Sequence, residues 1–144
     1  AAFTAMHGYL HARLYRSLGT HLSSAWWRDP RFVGGLALYE LGFWTMVHSD
    51  HVLRTLRPAD GSGPRYRIPK GGAFNLVTSP QYLGEIGAFA GLAMMNWSLP
   101  GLAVLAITSF NLVPRAFQNH KWYLEKFGEE YQALGRTALV PFLI

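Results

Sequence analysis

The 144-residue chain has room for one domain; half of its residues are apolar and 15% are charged, against about 25% in ordinary soluble proteins. Lys and Arg outnumber Asp and Glu by 13 to 8, for a net charge of +5, a sign that suits an anionic lipid surface, a phosphate-bearing ligand or a nucleic acid. There is no Cys, which excludes disulfides, thiolate zinc sites and cysteine nucleophiles. Five Trp and seven Tyr give the aromatic content typical of membrane-interface belts.

The opening Ala1-Ala2-Phe3 has neither an initiator Met nor the layout of a signal peptide, and reads as truncated upstream. Ala1 to Leu22 carries Arg13, Arg16 and three His, so a helix here packs inside a bundle or lies at an interface. Phe32 to Val47 is an apolar run interrupted only by Glu40, and a helix is expected to continue from it to about Leu56. Pro58 to Pro64 is a flexible loop by composition. Ile86 to Pro114 is 29 residues without Asp, Glu, Lys, Arg or His, well beyond the roughly 18 that nominate a membrane span. At about 1.5 Å per residue it is too long for one straight crossing. Pro100-Gly101 is a turn signal within it, so two helices are expected, Pro80–Leu99 and Gly101–Phe117. The expected fold is all-α, a polytopic membrane bundle of about four helices. The whole of 1–144 is expected to form one domain, with more of the bundle upstream if the chain is truncated there. A soluble helical bundle is the alternative, and so long an uncharged run is rare in soluble folds.

Charge placement orients the bundle. Arg54, Arg57, Arg65, Arg67 and Lys70 lie in and beside the long loop, Arg115, Lys121, Lys126 and Arg136 follow the last span, and the turn at Pro100 has no cation. Lys and Arg gather on the cytoplasmic side, so loop and tail are expected to face the cytosol.

Several polar groups converge there. Asp50, Arg54 and Arg57 share a helical face at i, i+4 and i+7, either as an ion pair with positive-inside charge or as a phosphate clamp. Tyr66-Arg67-Ile68-Pro69-Lys70-Gly71-Gly72 combines two cations with glycines that permit close backbone approach, and is either a basic surface turn or a phosphate loop. Ser79 is expected to cap the helix that Pro80 begins. Glu85 stands at the mouth of the apolar run, paired with a loop Arg or functional. Gly87 and Gly91 have the spacing of a close helix contact. Arg115, Asn119 and Tyr123 share a face where the last span leaves the membrane, the Arg either snorkelling to lipid or binding a ligand. Three elements thus direct basic and hydrogen-bonding groups to one membrane face, where an anionic, polyphosphate-bearing ligand fits. Neither a Gly-x-Gly-x-x-Gly fingerprint nor a Walker loop is present.

In order, Asp29-Pro30-Arg31-Phe32, His48-Ser49-Asp50, Leu53 to Arg57, Tyr66 to Gly72, Tyr82-Leu83-Gly84-Glu85, Trp97-Ser98-Leu99-Pro100, Arg115-Ala116-Phe117, Tyr123-Leu124 and Pro141 to Ile144 resemble the steroid 5α-reductase family over nearly the whole chain. That resemblance implies a membrane reductase that uses NADPH to saturate the C4–C5 double bond of 3-oxo-Δ4 steroids, by hydride transfer and then protonation. It implies that Asp50, Arg54, Arg57, Arg67, Glu85, Arg115 and Tyr123 line the cofactor pocket, with Tyr66, Gln81 and Asn119 as further hydrogen-bonding members. An Arg beside the ribose 2′-phosphate accounts for a preference for NADPH. No metal is expected. The family's carbonyl-gripping Glu and Tyr belong to an N-terminal half that has no counterpart here, so no catalytic residue is assigned, and this chain alone is expected to be inactive. Met46 stands where the family has Asn, Asn119 where His is common, and Gln81 where Asn is frequent; Met46 cannot replace a carboxamide.

The resemblance further implies a lipophilic enone substrate, a lipid bilayer around the protein and residence in the endoplasmic reticulum or a bacterial inner membrane. Enoyl-CoA and polyprenol reductases share the Ile-Pro-Lys-Gly type of loop and the Pro-Phe ending. Membrane methyltransferases that use S-adenosylmethionine share a tail like Phe127-Gly128-Glu129-Glu130-Tyr131, but they read Arg-His-Pro where this chain has Ser79-Pro80-Gln81. A non-enzymatic scaffold is a further alternative. Nucleic-acid binding is disfavoured because the cations sit beside membrane spans.

Overall fold

The computed structural model describes residues 2–19, 22–56 and 66–143. Five α-helices occur among them: α1 (Ala2–Leu18), α2 (Pro30–Thr55), α3 (Pro80–Asn96), α4 (Leu99–Phe127) and the one-turn α5 (Glu129–Gln132). Short 3-10 turns at Trp26–Arg28 and Gly72–Asn75 lead towards α2 and α3. The described residues contain no strand, and an isolated parallel bridge joins Val77 to Thr137.

Each long helix starts for a local reason. Asp29 caps α2, accepting a hydrogen bond from the Arg31 backbone N–H at 2.9 Å, and Pro30 occupies the first turn. Ser98 caps α4 in the same way through Gly101 N–H at 3.2 Å. This moves the expected turn: α3 ends at Asn96, Trp97 takes a left-handed conformation (φ 42°), and α4 already contains Pro100 and Gly101. A Pro in a first turn lacks only an N–H that has no helical partner there, so Pro100 starts the helix where the sequence suggested a break. α4 also runs ten residues past the expected Phe117, through Pro114. Ser79 does not cap α3 with its side chain; its hydroxyl is engaged with Asn119 instead.

The core is the antiparallel contact of α2 and α3. On α2, Gly35, Gly42 and Ser49 repeat every seven residues and are buried, the period of a coiled-coil seam. Opposite lie Gly84, Ala88 and Gly91 of α3, also buried. A Cβ on Gly42 would sit 2.5 Å from the Gly84 carbonyl oxygen, and one on Gly35 2.7 Å from that of Gly91, so the helices touch through their main chains. Gly87, singled out by its spacing, has only an ordinary 3.7 Å contact. Gly84 and Gly91 make the close approach.

Outside this seam, α2 and α4 expose large apolar side chains. Leu41, Trp44, Leu102, Ile107 and Phe110 are all more than half exposed. α4 is long and apolar enough to cross a membrane, and 22% of its most apolar window is buried; a soluble core helix would hide that stretch. Midway along α2, Trp44 Nε1–H donates to Glu40 at 3.1 Å.

Candidate functional site

The end of α2, the start of α3, the last turns of α4 and the tail meet at one end of the bundle. What joins them is short-range pairing between the segment before α3 and the tail. Thr78 N–H donates to Thr137 O at 2.8 Å, Ser79 N–H to Ala138 O at 3.2 Å, and Thr137 N–H to Leu76 O at 3.2 Å. Phe74, Val77 and Tyr131 are buried at this junction.

Thr78 is its hydrogen-bonding centre. Its Oγ1 lies 2.6 Å from His120 Nδ1, 2.8 Å from the Tyr131 hydroxyl and 3.1 Å from Thr137 O. A hydroxyl has one proton to give and two lone pairs, and a carbonyl only accepts. All three bonds coexist when Thr78 donates to Thr137 O and accepts from Tyr131 O–H and His120 Nδ1–H. That arrangement leaves His120 Nε2 as an acceptor. Beside it Asn119 Nδ2 donates to Ser79 Oγ at 3.3 Å. Tyr123 stacks on Tyr131 (5.0 Å, 19°) and on Phe127 (5.8 Å, 19°).

Arg136 reaches this cluster from the tail. Its guanidinium carbon is 5.6 Å from the Tyr131 ring centroid, and the residue is 8% exposed. Nε and Nη1 are buried without a hydrogen-bond partner, as is Oε1 of Gln81. A buried guanidinium without a carboxylate is costly, by about 3–5 kcal/mol when a former partner has been removed, and native structures satisfy nearly all such groups. Dry donors on a cation together with an orphaned amide acceptor suit an anionic ligand that also carries a hydrogen-bond donor.

The sequence-nominated residues are distributed unevenly around this point. Gln81, Asn119 and Tyr123 belong to the junction. Tyr66 packs edge-to-face on Trp122 at 5.1 Å, with Lys126 Nζ 5.8 Å from its centroid, so its loop lies along the end of α4. Arg67 and Arg115 are exposed, and Glu85 is half-buried. No ion pair to Glu85 occurs among the described residues. Asp50 and Arg54 form an i, i+4 pair at 2.7 Å with both side chains at least half exposed; Arg57 lies outside the described residues. Gly72 (φ 54°) faces His48, whose imidazole carbon would be 2.5 Å from an added Cβ. Sequence reasoning missed Thr78, Tyr131 and Arg136. Tyr123, Phe127 and Tyr131 at i, i+4 and i+8 are a readable aromatic stripe, whereas Arg136 gave no signal beyond a tail charge.

A family model described as 3-oxo-5-alpha-steroid 4-dehydrogenase matches residues 1–144. The 3-oxo-5-alpha-steroid 4-dehydrogenase 1 of Bos taurus is 42% identical over 142 residues, 99% of this chain and 53% of its own length. The Homo sapiens protein of that name is 42% identical over 98% of this chain and 52% of its length. A steroid 5-alpha-reductase of Solanum lycopersicum is 42% identical over 98% of this chain and 53% of its length. The chain therefore spans about half the length of these curated relatives. Matched from end to end, it belongs to the 3-oxo-5-alpha-steroid 4-dehydrogenase family, the steroid 5α-reductases.

Proposed function

We propose that this chain is the cofactor-holding half of a membrane-embedded, NADPH-dependent reductase of a steroid-type enone. The observation that carries the reading is Arg136, a buried guanidinium with two unpartnered nitrogens, in a chain of this family; Gln81 Oε1, at the start of α3, is a second buried orphan. The donor set fits the cofactor. Arg136 suits a phosphate oxygen, and Gln81 Oε1 accepts from an amide or ribose hydroxyl. Exposed Arg67, Lys70 and Arg115 add positive potential around the entrance and attract a polyanion. Asp50, Arg54, Arg57, Tyr66, Glu85, Asn119 and Tyr123 complete the proposed lining.

When bound, the cofactor supplies a hydride to the β-carbon of the enone, and a proton completes the saturated product. The work of the residues described above is to bind and orient. Thr78 locks the His120 ring and the Tyr131 hydroxyl, and Tyr131 in turn fixes Tyr123 by stacking. Rigid aromatic walls of this kind hold a ligand in reacting geometry and exclude water. The exposed apolar faces of α2 and α4 support a bilayer setting for the bundle, and the Lys and Arg at the junction end support a cytosolic side for that end.

The test is ligand-dependent thermal stability of the complete, detergent-solubilised protein with NADPH, NADH or S-adenosylmethionine at equal concentration. The reading requires a larger rise with NADPH than with NADH. A rise with S-adenosylmethionine alone would replace it with a methyltransferase.

A further inference from the structure

The opposite end of the helices carries a second polar construction, unrelated to the Arg136 cluster. Arg31, in the first turn of α2, lies between two indoles, its guanidinium carbon 4.6 Å from the Trp26 centroid and 4.8 Å from that of Trp97. Asp29 accepts from Arg31 Nε and Nη2, each at 2.9 Å. Trp26 Nε1–H is tied to Met95 O at 2.8 Å, which joins the turn before α2 to the last turn of α3. The bidentate pair holds the Asp29 carboxyl at about 2, so it remains anionic at neutral pH. Among the described residues Arg28 has no carboxylate partner; it stacks at 4.4 Å on Trp27, which is 57% exposed. Two guanidiniums against one carboxylate leave a single positive charge.

Two recesses border this construction, one lined by Arg31 and the other by Trp97. One, of about 350 Å³, is bounded by Ser23, Trp26, Arg28, Asp29 and Arg31. The other, of about 440 Å³, is almost wholly apolar and runs between α3 and α4, lined by Ala90, Met94, Trp97, Leu99, Leu102 and Leu105. Trp97 links them, one ring covering Arg31 and bounding the apolar groove. A cationic recess at a Trp-rich helix end, linked through the Arg31–Trp97 stack to an apolar groove lined by α3 and α4, suits an amphiphile.

We propose that Arg28, Arg31 and the groove beneath Trp97 form a phospholipid site, with the headgroup phosphodiester at Arg28 and an acyl chain along α3 and α4. One net positive charge matches the single negative charge of an anionic phospholipid. Phosphatidylglycerol is favoured over phosphatidylcholine, because a choline cation would sit beside Arg28 and Arg31. Asp29 does not repel the phosphate strongly, since both of its oxygens are engaged by Arg31.

The experiment uses the complete protein in a neutral detergent without cofactor, so its outcome is independent of the NADPH reading. Phosphatidylglycerol, phosphatidylcholine and inorganic phosphate are added separately, and melting temperature and lipid retained in native mass spectra are recorded. Phosphatidylglycerol should raise the melting temperature by about 3 °C, the scale of roughly 1 kcal/mol in a protein of this size class, with smaller effects from the other two. Arg28→Gln should remove that increment and the retained lipid, and Arg28→Lys, which keeps the charge, should preserve most of both. Leu102→Trp, which fills the groove, should reduce lipid retention with the cations intact. An equal response to phosphatidylcholine, full reproduction by inorganic phosphate, or an unaltered increment in Arg28→Gln would each overturn the proposal.

Discussion

The residue with most at stake is Arg136. A buried cation without a counter-charge lowers the stability of the unliganded protein and strengthens its grip on an anion. Arg136→Leu in the complete protein should therefore weaken NADPH binding by about 1–3 kcal/mol, while the melting temperature without ligand holds or rises. Fluorescence titration and a melting curve read the two effects separately, and unchanged affinity would remove Arg136 from the site. Thr78 makes the contrary case. Thr78→Val keeps the shape but strands the hydrogens of Tyr131 and His120, at a cost of about 1–3 kcal/mol, so the unliganded melting temperature should fall. Neither residue was legible in the sequence for its role. Asn119 and Tyr123 announce themselves by helical spacing on α4. The environment of Arg136 arises only when Thr78 meets Thr137, 59 positions away, and no periodicity encodes that pairing. The Asp50–Arg54 pair was legible, and its exposure gives it the worth of an ordinary surface pair, below about 1 kcal/mol.

At the scale of elements, the sequence marks helix starts better than helix ends. The start of α3 at Pro80 is read correctly because Pro at a first helical position acts locally, although Ser79 turns its hydroxyl to Asn119; α2 starts at Pro30, two residues before the apolar run that suggested it. The break at Pro100-Gly101 is misplaced because the same chemistry, shifted by two residues, makes Pro100 part of an opening turn capped by Ser98. The seam was half legible: a Gly-x-x-x-Gly spacing drew attention to Gly87, yet the contact follows a seven-residue repeat through Gly35 and Gly42. Gly42→Val should destabilise the protein by about 3 kcal/mol or more, since main-chain atoms cannot move aside as side chains do. Gly87→Ala should cost almost nothing. Thermal melts of the two variants distinguish this seam from one built on Gly87, which would reverse the order.

Across the molecule, the two ends of the bundle differ in chemistry. Arg67, Lys70, Arg115, Lys121, Lys126 and Arg136 lie at one end, and at the other Arg28 and Arg31 are stacked against the indoles of Trp26, Trp27 and Trp97. If the junction end faces the cytosol, a Cys introduced at Lys121 in sealed vesicles should react with an impermeant maleimide from the cytosolic side, and one at Ser23 only from the opposite side. The reverse labelling would invert the orientation.

The glycine seam of α2 and α3 has one more consequence. Most interfaces between helices hold long side chains in chosen rotamers, and they soften as heat releases those rotamers. Where Gly35 and Gly42 meet Gly84 and Gly91 there are no rotamers to release; the touching atoms are already fixed by the hydrogen bonds within each helix. The α2–α3 hairpin should therefore be the last piece of the chain to open. Amide hydrogens near the seam would be the slowest to exchange, and the non-helical segment around Thr78, held by a few pairs to the tail and to His120 and Asn119 of α4, would exchange well before them.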